Sequence, residues 1–384
     1  MIGEASLKYG VIGAGMIGSA AARHLSAAGA DVTLIGPGEP EDIASHDGVF
    51  ASHYDEGRIT RGLDPMPFWS RASRASIGRY GEIERASGLR FYSEVGCLMA
   101  GPDGSRKMRD IDEVAARDSL SFESLDAAGL RDRFPYFAFP HDAVGRYEAV
   151  GAGHISPRAL VRAQIAIAVA QGAAHLPEEV IGFDEGPQGV SLRTASRSLR
   201  FDRVLLATGG FSEALIGDAL PMEVYGRTVA LFSLDAGEAA RLGAMPSLIW
   251  QDPEGDNPYL LPPIRYPDGR VCLKLGYDPE DVVLPDTEAV KAWFRSDGAP
   301  GTGEMIEAMI RARMPGLRIS GRQVMTCVTS YTPNRLPHLK ALSDRVFTAI
   351  GGCGRAAKNS DELGRLGAMI VSGQGLPEWA AEAG

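Results

Sequence analysis

Three glycines set out the first chemistry in the chain. Gly13, Gly15 and Gly18 stand as G-x-G-x-x-G after the apolar run Tyr9-Gly10-Val11-Ile12. In such a turn the first glycine permits the bend and the second lets backbone approach a pyrophosphate. The third lets the following helix pack closely on the strand. Ile17 belongs to the same turn, and the helix N-terminus then faces the anion. Gly29-Ala30-Asp31 turns the chain into a second predicted strand, so the motif lies in a β-α-β unit and points to a dinucleotide cofactor. That second strand should end on Asp or Glu to hold the adenosine ribose. Gly36 stands there instead, followed by Pro37-Gly38-Glu39, which leaves Glu39 or backbone groups for the ribose. No Arg or Lys follows at once, which argues against a 2′-phosphate.

Further polar candidates follow. Residues 45–62 are too polar for a core strand, and within them Arg58 and Arg61 stand three apart. On a helical turn they would share a face; as a solvated loop they would be surface arginines. Four cysteines, Cys97, Cys272, Cys327 and Cys353, are widely spaced and form no metal pattern. Reduced thiols and a cytoplasmic location are the expectation. The first strand begins within ten residues of Met1, which leaves no room for a signal peptide. A net charge of −10 disfavours nucleic acid or an anionic membrane face as partner, and no apolar run reaches membrane-spanning length.

The elements that must position these groups follow from pattern. With 384 residues, 45% hydrophobic and 23% charged, the chain has room for two cores. Residues 65–87 read as a helix with an apolar stripe, and 91–99 as a strand. Residues 106–130 read as helical segments. Ser156 is the expected N-cap and Pro157 the first residue of a helix reaching about 171. Three strand-like runs, 179–183, 189–194 and 198–201, precede a buried strand, 204–206, that enters Ala207-Thr208-Gly209-Gly210. Runs at 229–234, 247–250, 259–263 and 271–277 read as a second sheet, with Asp268-Gly269 as a hairpin turn. Helices are expected at 288–294 and 304–314, and strands at 323–331 and 346–350. A last helix is expected over 360–371, with Asn359 and Glu362 as a capping box. Nucleotide-type and sheet-type segments interleave, so the cofactor domain is expected to be discontinuous.

With these pieces assembled, the chain resembles the FAD-dependent amine oxidases of the monomeric sarcosine oxidase and N-methyltryptophan oxidase group, within the D-amino-acid-oxidase-like superfamily. The resemblance rests on the glycine turn, on Ser52-His53-x-x-x-x-Arg58-Ile59-x-Arg61 and on Ala207-Thr208-Gly209-Gly210. It rests further on Leu273-Lys274-Leu275-Gly276-Tyr277, Thr326-Cys327, Thr332-Pro333 and the Gly352-x-Gly354 turn before the last helix. It implies a mixed α/β fold: a Rossmann-like FAD-binding domain with a second, mainly antiparallel-sheet domain for substrate. The expected cofactor segments are 1–90, 145–220 and 325–384; the expected substrate segments are 91–144 and 221–324.

The resemblance also assigns roles. Lys274 is the residue beside the flavin at which oxygen is reduced, because a nearby ammonium stabilises the anion that first electron transfer creates. Cys327 falls where a thioether to the flavin forms. Arg61 is the ligand for a substrate carboxylate, through its planar fork, and Arg58 lies near the flavin ring. Ser52, His53, Thr208, Gly209, Gly352 and Gly354 belong to the cofactor site, and Val180 to its adenine end. Tyr259 aligns with an active-site tyrosine. The last helix aims its N-terminus at the flavin.

Departures from the family concern substrate. The family turn G-H-G-F-K is Gly352-Cys353-Gly354-Arg355-Ala356-Ala357-Lys358 here, so Lys358 lies two residues beyond the lysine that joins the arginine. The histidine after L-K-L-G-Y is Asp278, expected to bind or deprotonate a substrate ammonium. A histidine on the arginine loop is Tyr54, and a threonine before the first arginine is Gly57. These changes argue against sarcosine itself. The expected activity is oxidation of a C–N bond in a carboxylated secondary amine or cyclic imino acid. Hydride passes to flavin, and O₂ becomes H₂O₂. The expected partners are a small amine and O₂, in a monomer or small homo-oligomer. Alternatives are a biosynthetic oxidase that desaturates a ring, a flavin dehydrogenase using another acceptor, and a flavin protein without turnover. Lys274 and Cys327 together argue against the last, and Lys274 argues against a plain NAD dehydrogenase.

Overall fold

A computed structural model describes residues 7–251 and 257–384. Its first layer is a six-stranded sheet in the order His338–Ala341, Val346–Ile350, Arg203–Leu206, Lys8–Ile12, Asp31–Ile35, Ala174–Leu176. All neighbours run parallel except the first pair. Val11, Leu34 and Leu205 are buried on these strands, as expected of a sheet covered on both faces. One face carries the dinucleotide helix Met16–Ala27 and the closing helix Ala356–Val371. These two approach closely because Gly364 lies at their contact; a Cβ there would stand 2.5 Å from that of Ala20. A three-stranded antiparallel sheet, Val180–Gly186, Gly189–Thr194 and Ser198–Phe201, lies beside this layer.

A larger sheet forms the second body. Its order is Val282–Val283, Glu223–Ser233, Val271–Gly276, Tyr259–Arg265, Ser247–Trp250, Cys97–Pro102, Ala143–Glu148, Glu123–Leu125. The long strand Gly321–Tyr331 pairs with Glu223–Ser233 along its whole length. Pairing is antiparallel except between Ser247–Trp250 and Cys97–Pro102. Leu273 and Leu275 point into the core of this body with Ala230, Phe232 and Leu260. Lys274, between them, must therefore face the other way. The expected segment boundaries at 145 and 325 each fall inside a strand of this sheet.

Several local expectations differ from the structure, among them the helical reading of 106–130, which contains the strand Glu123–Leu125. The run 91–99 is two strands, Tyr92–Ser93 and Cys97–Pro102, because Gly96 takes φ +78° between them. The closing helix starts at Ala356 rather than 360. Asn359 is no cap: it is fully buried inside the helix and its Nδ2 donates to Arg355 O at 2.7 Å. Glu362 pairs with Arg79 and Arg365 instead of closing a box. Arg58 begins a short strand, Arg58–Thr60, and Arg61 follows it, so the two arginines share no helical face.

A buried ion network ties the closing helix to its neighbours. Asp361, fully buried, meets Arg23 Nη2 at 2.7 Å and Arg79 Nε at 2.5 Å, and accepts from Gln164 Nε2 at 2.9 Å. His24 and the two guanidiniums hold its carboxyl far below the usual range despite its burial. Among the described residues no helix is long and apolar enough to cross a membrane, and no cluster of side chains suits a metal ion.

Candidate active site

A cavity of about 880 Å³ runs between the two bodies. Its deep end is built from the glycine turn. Gly13 takes φ +105°, and a Cβ on it would stand 2.4 Å from Ala207 O; one on Gly18 would stand 1.9 Å from Gly13 O. At Gly15 the nearest atom to such a Cβ is His53 Nδ1, at 3.9 Å, so this side of the turn is open. The same scaffold explains Gly36. A Cβ there would meet Ala14 N at 2.4 Å, which bars the acidic side chain expected at the end of the second strand. Glu39 does not line the cavity; Arg158 holds its carboxylate at 2.6 Å, which corrects its expected place at the ribose. Glu179 and Val180 line that end instead.

The remaining wall comes from distant parts of the chain. Ile17, Ser52, His53, Thr208, Gly209, Cys327, Gly352 and Gly354 all face the cavity. Ser52 Oγ accepts from Val328 N at 3.1 Å and donates to Val328 O at 3.2 Å. This fixes the arginine loop beside Cys327. His53 is buried, its Nδ1 has no hydrogen-bond partner, and burial pushes its pKa down to about 3. It is therefore a neutral ring beside the open glycine. Burial raises the Cys327 thiol. Ala356, Ala357 and Lys358, the first turn of the closing helix, complete the wall. The open glycine, the partnerless ring nitrogen and two helix N-termini on one cavity fit the diphosphate and ring of FAD.

Lys274 lies behind this wall and is fully buried. Its Nζ donates to Gly57 O at 3.0 Å and pairs with Asp55, while Tyr259 presents its ring 5.8 Å away. Asp55 also pairs with Arg58 and accepts from Glu56 N at 2.7 Å. Burial, then the Arg58 guanidinium, pushes the Lys274 ammonium well below its ordinary pKa, and the Asp55 carboxylate opposes that loss of charge. Asp55 was not expected from the sequence; a lone acid in a polar loop gives no signal of a partner far along the chain.

At the outer end, three cations surround one buried acid. Asp64 Oδ2 stands 3.2 Å from Lys358 Nζ, 3.4 Å from Arg61 Nη2 and 3.5 Å from Arg355 Nε. The three together hold its carboxyl down at about 2 against its burial. Burial lowers Lys358 to about 8. Arg61 Nε is buried with no partner. The helix that begins at Ala356 carries the Lys358 ammonium to the same carboxylate as Arg61. Asp278, which also lines the cavity, accepts from Thr228 N at 3.0 Å and lies 3.7 Å from Arg227 Nε. Burial raises Asp278 to about 6. Arg227, itself buried, also pairs with Asp281 at 2.7 Å. Asp64, Arg355 and Arg227 escaped the sequence reading, although Asp64 follows Arg61 at ion-pair spacing.

Comparison with known proteins agrees with this architecture. The model of the FAD dependent oxidoreductase (DAO) family matches residues 8–369, so the chain belongs to that family and is an FAD-dependent oxidoreductase. It is 29% identical to a monomeric sarcosine oxidase of Streptomyces avermitilis, over 94% of this chain and 92% of that one. It is 23% identical to an N-methyl-L-tryptophan oxidase of Citrobacter koseri, over 95% and 94%. In fold it is similar to a mutant of NikD, an amino acid oxidase essential for nikkomycin biosynthesis. The TM-score is 0.81 at 18% identity, over 98% of this chain and 96% of that one. It is also similar to glycine oxidase from Geobacillus kaustophilus, with a TM-score of 0.75 at 17% identity over 98% of both chains. By name these relatives are oxidases of amines or amino acids.

Proposed function

We propose that this chain oxidises the C–N bond of a carboxylated secondary amine or cyclic imino acid and passes the electrons to O₂, forming H₂O₂. The observation that carries this reading is the Arg61, Lys358 and Arg355 cluster, which shares one cavity with the glycine turn. The FAD would be held by Gly13, Gly15, Ile17, Gly18, Ser52, His53, Arg58, Val180, Thr208, Gly209, Gly352 and Gly354, with Cys327 placed for a thioether. Bound there, it supplies acceptance of a hydride from substrate and transfer of electrons to oxygen.

The side chains do the rest. Arg61 and Lys358 bind the substrate carboxylate, Arg61 through its fork. Asp278 lines the same chamber. Its Oδ2 is turned to Arg227, and above pH 6 it is anionic, suited to hold the substrate nitrogen and take its proton. Tyr259 forms an apolar wall that excludes water. Lys274 supplies a buried cation that stabilises charge on oxygen as it is reduced. The Asp55–Lys274 pair favours a second reading, a dehydrogenase with another acceptor, because it balances that cation.

An absorption spectrum and an H₂O₂-release screen test both. We expect flavin bands in the purified protein and peroxide with N-methyl amino acids or cyclic imino acids. Flavin reduction without peroxide selects the dehydrogenase. Failure of every carboxylated amine to reduce the flavin refutes the substrate class.

A further inference from the structure

The cavity wall carries more positive charge than one carboxylate requires. Four cations, Arg61, Lys358, Arg355 and Lys107, line this end of it. Among the described residues two acids answer them: Asp64 at the centre, and Glu148 behind the wall, which accepts from Gly62 N and Leu63 N at 3.0 Å. Arg106, at the rim, is matched by Asp110 at 3.7 Å. One substrate carboxylate leaves the wall positive; two bring it to balance. Another part of the lining has the opposite excess, with Asp278 and Asp281 around Arg227. That pattern suits one ammonium between two carboxylates.

Lys107 Nζ donates to Asn257 Oδ1, a neutral partner, and among the described residues no acid pairs with it. It occupies the first turn of the helix Arg106–Asp118, where Ser105 caps the N-terminus and no acidic residue is present. Cations in that position work against the helix dipole, which favours anions there. Departures from a local rule gather at functional or strained places. Here Lys107 and the exposed amides add to one positive field, the arrangement of an anion site. Lys107 lies within electrostatic reach of Arg61, Asp64 and Arg355, and burial first, then Arg61, pushes its pKa down to about 7. An anion placed beside it would restore its charge.

We propose that the substrate is an amino or imino dicarboxylic acid whose second carboxylate is held by Lys107, while Arg61 and Lys358 hold the first. The proposal rests on the amine-oxidase reading above and narrows it. Its test compares ligands that differ only in that charge: N-methylglutamate against N-methylglutamine, and piperidine-2,6-dicarboxylate against its monoamide, each as separate stereoisomers. Anaerobic difference spectra of the flavin in the purified holoenzyme give the Kd of each.

The diacid should bind about ten- to hundredfold more tightly than the amide, the range for one hydrogen bond to a charged group. Lys107→Met should collapse that ratio toward one, and Lys107→Arg should restore most of it. A thermal melt of each variant shows whether it is folded. Equal Kd values for diacid and amide in the wild type overturn the proposal, as does a ratio unchanged in Lys107→Met. If simple N-methyl amino acids perturb the flavin but no diacid gains affinity, the amine-oxidase reading stands and this inference fails. If no carboxylated amine perturbs it, both fail.

Discussion

Arg61→Ala is the perturbation whose size the structure constrains best. Arg61 is 9% exposed, its Nη2 stands 3.4 Å from Asp64, and its Nε has no protein partner. Removing one member of a buried, hydrogen-bonded charge pair costs about 2–5 kcal/mol in binding. Two features move the expectation to the low end. Lys358 approaches the same carboxylate at 3.2 Å and Arg355 at 3.5 Å, so a bound acid keeps cationic partners and Asp64 keeps its own. We therefore expect a loss of about 2–3 kcal/mol, or roughly thirty- to a hundred-and-fiftyfold in Kd for an acid substrate. The amide or ester of that substrate should lose far less, because it brings no charge to the fork. Anaerobic flavin titration measures both ligands, and a thermal melt reports any cost to the fold separately. Lys358→Met should show the same selectivity. Equal losses for acid and amide in Arg61→Ala would refute the assignment of this cluster to the carboxylate.

The pH profile follows from two members of the same chamber. Asp278 is ionised above about 6 and Lys358 loses its charge above about 8. Thus kcat/KM should rise through the first value and fall through the second. Asp278→Asn should remove the acid limb and Lys358→Arg the alkaline one; limbs unchanged in these variants would exclude both residues. Lys274→Met should slow reoxidation by O₂ about a hundredfold while leaving substrate-driven bleaching of the flavin much faster than that, the scale for deleting one electrostatic stabiliser. Stopped-flow reoxidation at the wild-type rate would remove Lys274 from oxygen chemistry. Cys327→Ser should release flavin from acid-denatured protein that otherwise keeps it; flavin freed equally from the wild type would rule out the thioether. Asp361→Asn should cost about 3–5 kcal/mol of stability, because it leaves the buried Arg23 with no carboxylate and takes from Arg79 one of its two. The depressed Asp361 carboxyl makes that contribution complete above pH about 4 and lost on acidification below it. Denaturant melts at pH 7 and pH 3 should therefore differ more for wild type than for the variant.

The legible parts of this molecule are those written locally. The glycine turn, the cap at Ser156 and the three short strands after residue 179 each carry their signal within a few residues. The structure has Ser156 accepting from Ala159 N and the strands paired as a meander. The face of Lys274 was legible for the same reason, since alternation with Leu273 and Leu275 decides it. The unread parts depend on partners far away in sequence. Asp64 becomes a hub only when the helix at Ala356 arrives, and Asp55 meets Lys274 across 219 positions. Asn359 misled because its type suits a cap, whereas the helix had already begun at Ala356 and the amide turns back on Arg355 O. Glu39 looked available because its partner, Arg158, lies on another element 119 positions away.

The sheet order has a consequence for how the protein is made. The strand that carries the glycine turn is flanked by Asp31–Ile35 and Arg203–Leu206, and the latter leans on Val346–Ile350. The closing helix then seats its Gly364 against the dinucleotide helix. During synthesis the first β-α-β unit emerges early, yet the wall formed by Cys327, Gly352 and Lys358 emerges last. A ribosome-bound chain stalled before residue 346 would display the phosphate turn with no chamber around it. The nascent first half must wait for residues 346–350 with its sheet edge at Arg203–Leu206 uncovered, open to chaperones or to misplaced strands.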